Sequence, residues 1–184
     1  MMVAGKTYKT ALVVIPPEDT WDPIQAIREK HDRAFQRWMP HITLLYPFHP
    51  RPDFELAAAR LTRACASIAS FEVTLASFDV FRHSQQSYTL WLAPKPKEAL
   101  IELQTALWRA FPDCDDVRRF AGGFVPHLSV GQLRGREQMQ QFVAALSRDW
   151  ETVTFEVSVV SLIWREDPPH DVFRVAQTFA LGTA

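Results

Sequence analysis

The chain has 184 residues, 47% of them hydrophobic, which predicts one globular domain with a sizeable core or two small lobes that share one. Its formal net charge of −1 excludes the strong positive field expected of a protein that binds duplex DNA or an anionic membrane, although local charge would suffice for a short RNA end. Two cysteines, Cys65 and Cys114, and an N-terminal apolar run too short to span a bilayer predict a reduced, soluble, cytoplasmic protein, which we expect to be a monomer.

In the first half of the chain, apolar runs and helical periodicities alternate. Residues 10–15 are β-branched or aliphatic and end at two prolines, which is typical of a buried strand. Apolar residues at helical spacing predict a helix that begins at Asp22–Pro23 and continues to residue 38. The elements predicted next are a strand over 41–48, a helix that follows Asp53 over 54–69, and a strand over 71–81 that bends near Ala76–Ser77.

The second half repeats this alternation. The elements predicted there are a turn over 83–87, a strand over 88–93 that ends at Pro94, a helix over 97–111, a loop over 112–123, a strand over 124–132, a helix over 135–150, one long strand-rich run over 152–164, a turn over 167–171 and a strand over 172–179. The order β-α-β-α-β-β-α-β-α-β-β divides into two similar halves. It predicts an α+β fold in which residues 1–184 form a single bilobal domain of duplicated β-α-β units, with two antiparallel-rich sheets and outer helices.

Two short motifs with the same pattern stand at matching places in the two halves. Pro40-His41-Ile42-Thr43-Leu44 and Pro126-His127-Leu128-Ser129-Val130 each read proline, histidine, aliphatic, hydroxyl, aliphatic, and their histidines are 86 residues apart. Residues two apart in a strand point to the same face, so each strand would carry an imidazole and a hydroxyl on one face and aliphatic side chains on the other. If an approximate two-fold axis relates the halves, the four polar side chains line one cleft.

Two imidazoles and two hydroxyls suit phosphodiester chemistry. One neutral imidazole can take a proton from an attacking hydroxyl or water, while the other, protonated, gives a proton to the leaving oxygen. An imidazole titrates near pH ~6.5, so both forms exist near neutrality. The hydroxyls can hold the nonbridging phosphate oxygens. This scheme needs no metal and no other cofactor, and it leaves open which histidine, His41 or His127, is the base.

Three other interpretations explain less of the pattern. A single His-x-Thr or His-x-Ser arises by chance about once in such a chain, but the duplicated context is far scarcer. Metal binding by His41 and His127 with His31 or His170 lacks an HxH or HExxH spacing and would leave the hydroxyls unexplained. Either hydroxyl as a nucleophile lacks the surrounding GxSxG sequence.

The paired motifs resemble those of a known superfamily. His41-Ile42-Thr43-Leu44 and His127-Leu128-Ser129-Val130 look like the two H-x-[ST]-hydrophobic signatures of the two-histidine (2H) phosphoesterases, and residues 40–48 resemble the 2′-5′ RNA ligase-like branch. The resemblance implies a central cleft, metal-independent catalysis by His41, Thr43, His127 and Ser129, and a substrate with a 2′,3′-cyclic phosphate or a 2′-5′ phosphodiester in an RNA end or a nucleotide. The alternatives are a module that binds such ends without turnover and a purely structural role for the histidines.

Residues around the motifs are candidates for substrate binding. Tyr46 and Phe48 follow the first motif, where a base could stack on either, with core packing as the alternative. Lys30, Arg33 and Arg37 would form one basic stripe on the predicted helix, which either attracts a phosphate or is a solvated face. The remaining candidates stand where strands end, near the mouth of the predicted cleft: the corner 81–83, Gln132, Arg134 and Arg165.

Overall fold

Eight strands and four α-helices make up the fold in a computed structural model, which describes residues 5–120 and 122–183. The strands are β1 (Thr10–Val14), β2 (Ile42–Leu45), β3 (Phe71–Arg82), β4 (Ser87–Lys95), β5 (Leu128–Arg134), β6 (Val153–Val157), β7 (Val159–Trp164) and β8 (Arg174–Ala180). The helices are α1 (Trp21–His31), α2 (Phe54–Ala66), α3 (Lys97–Ala110) and α4 (Arg136–Asp149). None of these helices is both long and apolar enough to cross a membrane. Residues 1–4, 121 and 184 of the predicted domain lie outside the described ranges.

The strands form two antiparallel sheets of four, which confirms the predicted α+β fold. The first sheet has the order β2-β1-β7-β8 and the second β5-β4-β3-β6, so each histidine motif lies at an outer strand. The two lobes are not the two halves of the sequence, because β7 and β8 return to the sheet of β1 and β2. The second sheet, built from residues 71–157, is therefore inserted into the chain that builds the first.

The run over 152–164 is rich in strand, as predicted, but the element order counted it as one strand, and it forms two because the chain changes sheets within it. β6 pairs with β3, β7 pairs with β1, and Ser158 lies between them. Alternate residues of β6 are buried, as in a strand with one solvated face. Four consecutive residues of β7, 160–163, are buried, since β7 lies between β1 and β8 and both of its faces are covered.

The first sheet is covered on both faces. One large apolar cluster runs through both lobes and includes Leu12 and Val14 of β1. A smaller cluster on the opposite face contains Ala11 and Val13 of the same strand together with Ile163 and Phe173. All five residues of β1 are consequently buried, which explains the apolar sequence of the four that follow Thr10.

α1 ends at His31, well before residue 38, where the periodicity predicts its end. The cause is Asp32, whose backbone is extended and whose carboxylate accepts Nε–H of Arg28 at 2.8 Å and the backbone N–H of Ala34 at 2.9 Å. These bonds turn the chain away from the helix axis. The basic stripe predicted on this helix is wrong for the same reason, since two of its three members lie beyond the helix end: Arg33 and Arg37.

Other element ends also differ from prediction. The strands of both motifs begin one residue after the histidine, so His41 and His127 lie just before β2 and β5. α1 begins at Trp21, one residue before the predicted start, and β4 continues through Pro94. The bend predicted near Ala76–Ser77 is confirmed as a β-bulge where β3 pairs with β4.

Each motif strand is packed by a helix from the other lobe. α1, which joins β1 to β2, packs against β5, and α3, which joins β4 to β5, packs against β2. The first of these contacts is closest at Gly131, where a Cβ atom would lie 2.7 Å from Cβ of His31 and 3.2 Å from its carbonyl oxygen. The absence of a side chain at Gly131 therefore allows α1 to approach β5.

We predict that Gly131→Ala lowers the free energy of unfolding by about 1–3 kcal/mol, because the added methyl group meets the helix backbone and not a flexible side-chain tip. Urea unfolding of the variant and the wild type measures the change. Gly5→Ala is the control, since no atom of residues 5–120 and 122–183 beyond its chain neighbours lies within 4 Å of its added methyl group. Equal unfolding midpoints for Gly131→Ala and the wild type would contradict the close contact.

Candidate active site

The two motif strands present their side chains as the alternation predicts. Ile42 and Leu44 are fully buried in the apolar cluster, and so are Leu128 and Val130. The imidazoles and hydroxyls on the other faces are only partly buried: His41, Thr43, His127 and Ser129. One face of each strand therefore holds the lobe together, and the other is open to a ligand.

The two imidazoles are held by the same hydrogen bond. Nδ1 of His41 lies 2.7 Å from the carbonyl oxygen of Met39, and Nδ1 of His127 lies 2.7 Å from the carbonyl oxygen of Val125. A carbonyl oxygen can only accept, so each Nδ1 carries the hydrogen and donates it. In the neutral rings the lone pair is therefore on Nε2, which is the nitrogen free to exchange a proton with a substrate.

The proline before each histidine explains this geometry. Pro40 separates Met39 from His41, and Pro126 takes the same place in the second motif. Proline fixes its own φ and favours an extended conformation in the residue before it. The carbonyl group two residues before each histidine is thereby held in a restricted direction relative to the imidazole.

Aromatic side chains support both imidazoles. Trp38 stacks on His41, with ring centroids 4.5 Å apart and planes inclined by 19°. Phe81 and Trp91 make edge contacts with His127 at centroid distances of 4.8 and 5.9 Å. The rings are thus fixed by packing as well as by their Nδ1 bonds.

A buried ion pair holds the support of His41 in place. Arg28 is 1% exposed, and its Nε donates to Asp32 at 2.8 Å. Its Nη2 donates to the carbonyl oxygen of Trp38 at 2.9 Å. Burial lowers the pKa of Arg28, an effect that the Asp32 carboxylate opposes. This pair fixes the backbone of Trp38, whose ring stacks on His41.

A cavity of about 740 Å³ lies between the lobes. Thr43 of the first lobe lines it together with His127 and Ser129 of the second. His41 is not part of its lining, but it lies two residues before Thr43 on the same face of the chain. The cavity brings three of the four predicted catalytic residues to one surface and places the fourth beside it.

The surroundings favour neutral imidazoles. Burial lowers the pKa of His41 to about 4, assisted by the positive charge of Arg28 and opposed by the bond to Met39. Burial also lowers the pKa of His127, opposed by the bond to Val125. In the unfolded chain an imidazole accepts a proton near pH ~6.5. The free energy of unfolding therefore falls as the pH drops from about 6.5 to about 4, because the unfolded state binds a proton that folded His41 rejects.

Comparison with known proteins identifies the family. A sequence model of the 2′-5′ RNA ligase superfamily matches residues 16–169. The chain belongs to this superfamily. Its relatives include "Putative phosphoesterase GK0864" of Geobacillus kaustophilus, which is 26% identical over 180 residues and aligned over 95% of this chain and 96% of its own. The resemblance read from the two motifs is thereby confirmed.

Solved structures share the fold of this superfamily. TT0787 of Thermus thermophilus matches with a TM-score of 0.66 and 18% identity, over 95% of this chain and 98% of its own. Escherichia coli LigT in its apo form matches with a TM-score of 0.63 and 15% identity, over 97% and 100% of the two chains. LigT has also been solved in complex with 3′-AMP, and that structure matches with a TM-score of 0.62 and 17% identity over 95% and 98%.

Of the two aromatic side chains predicted to stack on a base, only one can reach a ligand in the cavity. Tyr46 lines the cavity, and its ring packs edge-on against Tyr8 and Trp38. Burial raises the pKa of Tyr46, and the nearby Arg165 guanidinium offsets part of the rise. Phe48 is 0% exposed and packs against Phe111 in the core, so the expectation that it stacks on a base is wrong.

The polar candidates at the strand ends have partners within the protein. Arg165 donates to the carbonyl oxygen of Tyr8 at 3.2 and 3.3 Å, and it shares Asp171 with Arg37. Neither arginine lines the cavity. Gln132 accepts the backbone N–H of Arg33 at 2.9 Å and donates to Asp32 at 3.3 Å. Gln132 thus joins the two lobes behind the cavity and is placed to position the site.

Sequence reasoning missed the part of the cavity wall that a loop supplies. The corner 81–83 lines the cavity as expected, but so do residues of the segment after α3, among them Val117, Phe120, Phe124 and Val125. Nothing in that segment forms a motif, and its aromatic residues lack periodicity. A partial signal was the pair Gly122–Gly123, since Gly123 has φ +67° and turns the loop back towards β5.

Within residues 5–120 and 122–183, one group has the ligand types of a metal site. His49, Asp113 and Cys114 place one ligand atom each within 4.8 Å of one another. Nε2 of His49 lies 2.8 Å from the Asp113 carboxylate, and Lys6 donates to the Asp113 carbonyl oxygen at 2.6 Å. Burial raises the pKa of Cys114 to about 12, so its thiol is protonated. These hydrogen bonds explain why the three residues lie together without a metal. They tie the loop after α3 to His49, which directly follows the first motif segment.

We predict that both imidazoles of the site are neutral at pH 7 and carry their hydrogen on Nδ1, because each Nδ1 faces a carbonyl oxygen. Nitrogen-15 NMR of labelled protein distinguishes the two tautomers, and a pH titration gives both midpoints, which we expect below about 6.5. The His41→Ala and His127→Ala variants assign the signals. A hydrogen on Nε2, or a midpoint above 7, would contradict the proposed geometry.

Proposed function

We propose that the protein is a phosphoesterase that hydrolyses, or reversibly forms, a 2′,3′-cyclic phosphate or a 2′-5′ phosphodiester at an RNA end or in a nucleotide. The observation that carries the proposal is the pair of imidazoles with the same Nδ1 bond, each of which leaves Nε2 free. Membership of the 2′-5′ RNA ligase superfamily supports it. The complex of LigT with 3′-AMP supports a nucleotide as the ligand class.

The proposed hydrolysis uses both Nε2 atoms. A water molecule attacks the phosphorus atom of the cyclic phosphate and gives its proton to the neutral imidazole. The bond from phosphorus to one ribose oxygen breaks, and that oxygen takes a proton from the protonated imidazole. The product is a phosphate monoester beside a free hydroxyl, and the two histidines have exchanged protonation states. Either His41 or His127 can be the base in this scheme.

Thr43 and Ser129 are the proposed phosphate-binding groups. Both hydroxyls line the cavity, one from each lobe. Each is two residues from its histidine on the same face of the chain. A hydroxyl can donate one hydrogen bond to a nonbridging oxygen, where negative charge increases as the attacking oxygen approaches. Two such donors from opposite sides would centre the phosphorus atom between the imidazoles.

We predict that His41→Ala and His127→Ala each lower turnover by about 10²–10⁴-fold, the usual contribution of general acid–base catalysis. The assay uses EDTA-treated protein with 2′,3′-cyclic nucleotides and a 2′-5′-linked dinucleotide, and thermal unfolding checks that each variant is folded. His170→Ala is the matched control, because His170 is exposed in a turn away from the cavity.

Turnover within about threefold of wild type in either variant would rule out the two-histidine mechanism. Binding of these nucleotides by the wild type without turnover would favour the alternative of a binding module.

We predict that kcat/KM for a cyclic phosphodiester is highest on the acidic side of about pH 6.5 and falls as the pH rises to about 8. The kcat/KM profile follows the free enzyme, whose histidine pKa values burial lowers. Above those values both imidazoles are neutral and the acid is lost. Initial rates between about pH 4 and 9 measure the profile, and a kcat/KM that rises through neutrality would contradict it.

A further inference from the structure

The β3–β4 hairpin supplies polar side chains to the cavity that the proposed mechanism does not use. Arg82, His83 and Thr89 line the cavity together with His127 and Ser129. Arg82 is the last residue of β3, His83 directly follows it, and Thr89 belongs to β4. Arg82 and His83 are exposed, so a ligand in the cavity can reach both side chains. We call Arg82, His83 and Thr89 the hairpin cluster.

The guanidinium of Arg82 has no carboxylate partner within residues 5–120 and 122–183. Its Nε donates to the carbonyl oxygen of Ser84 at 3.1 Å, and over the same ranges its two terminal nitrogens have no acceptor. Asp116 also lines the cavity, but its carboxylate pairs with Lys6 and Arg119. The terminal N–H groups of Arg82 are therefore available to an anion, which a guanidinium binds by two parallel hydrogen bonds.

The imidazole of His83 is held beside Arg82 by contacts of its own. Nε2 of His83 lies 2.8 Å from Oγ1 of Thr89, and the backbone N–H of His83 donates to the carbonyl oxygen of Ser87 at 2.9 Å. A ring that accepts the hydroxyl hydrogen of Thr89 on Nε2 carries its own hydrogen on Nδ1, where it can donate to an anion. A bound anion also favours the protonated imidazole, in which both nitrogens donate.

The register of the second sheet gives the distance from the hairpin cluster to the proposed phosphate site. Trp91 pairs with Ser129, and Thr89 lies two residues before Trp91 on the same face of β4. Phe81 pairs with Thr89, and its ring contacts His127 at a centroid distance of 4.8 Å. Two residues of an extended strand span about 7 Å. The cluster is therefore displaced from Ser129 along the sheet by about this length.

The chemistry of a cyclic nucleotide indicates which group would occupy the hairpin cluster. O2′ and O3′ are both bonded to the reacting phosphorus atom, so the ribose oxygen left to carry a second phosphate is O5′. The ribose separates the two phosphorus atoms by a distance similar to the displacement along the sheet. A terminal phosphate carries a charge of about −2 near neutrality, which suits a guanidinium beside an imidazole.

We propose that Arg82 and His83 bind a phosphate on O5′ of the nucleotide whose cyclic phosphate is held by Thr43 and Ser129. The inference rests on the proposed function and deepens it. It names as the preferred substrate a 2′,3′-cyclic nucleotide with a second, terminal phosphate on O5′, in place of one with a free 5′-hydroxyl.

The test compares two substrates that differ only on O5′: adenosine 2′,3′-cyclic phosphate and its 5′-phosphorylated form. We expect the wild-type kcat/KM to be about tenfold higher for the phosphorylated substrate. Arg82→Ala should reduce this ratio to between about one and three, and His83→Ala should reduce it about threefold. Arg82→Lys should keep part of the preference, because it retains the charge but not the paired N–H groups.

Arg148→Ala is the matched control and should keep the wild-type ratio, because Arg148 is exposed on α4 and does not line the cavity. Thermal unfolding checks that each variant is folded. Equilibrium binding of 3′-AMP and of adenosine 3′,5′-bisphosphate gives a second measure that does not need turnover. We expect the wild type to bind the bisphosphate about tenfold tighter and Arg82→Ala to bind the two probes about equally.

The outcomes separate the inference from the proposed function. Equal kcat/KM values for the two substrates, or equal affinities for the two probes, in the wild type would overturn the inference and leave the proposed function intact. A full preference for the 5′-phosphate in Arg82→Ala would also overturn it. Tighter binding of the bisphosphate without turnover of either cyclic substrate would uphold the hairpin cluster as a phosphate site and count against the proposed function.

Discussion

The hydrogen bond from each imidazole Nδ1 to the carbonyl oxygen two residues earlier is the contact on which the proposed chemistry of this protein depends. It determines which ring nitrogen meets a substrate, and a proline between donor and acceptor restricts its direction. The same arrangement occurs at His41 and at His127, on corresponding strands of two sheets. The proposed site, which needs one proton donor and one proton acceptor, would thus use a single local structure twice.

The relative position of the lobes matters as much as the local structure, because the proposed mechanism requires both imidazoles to reach the same phosphorus atom. Several contacts hold the lobes together behind the cavity. Gln132 of the second lobe bonds to the turn after α1, and α1 packs on β5 where Gly131 has no side chain. On another side, Lys6 forms an ion pair with Asp116 of the loop that lines the cavity. These contacts make the distance between the two histidines a property of the whole fold.

The sequence was sufficient to predict those parts of the site in which buried and polar side chains alternate along a strand. The alternation in both motifs correctly places Ile42 and Leu128 inside and the polar residues outside, since a strand has only two faces. Long-range contacts have no such local signal. The change of sheet at Ser158, for example, depends on strands far away in the sequence. The end of α1 depends on a local contact, the ion pair of Arg28 with Asp32, which the helical period of the apolar residues does not reveal. The sequence also left open whether Phe48, beyond the end of β2, stacks on a base or packs in the core, and the fold places it in the core.

The insertion of the second sheet into the first has a consequence for biosynthesis. Residues 71–157 emerge from the ribosome before β7 and β8 exist, so the second lobe can form its sheet while the first has only β1 and β2. Completion of the first sheet requires Thr10 to pair with Trp164, a closure across most of the chain. Until then β1 is paired with β2 alone and lacks β7 on its other edge. The strands made after the second lobe therefore close the lobe that was begun first, and a nascent chain truncated before β7 would hold both histidines without a completed cleft.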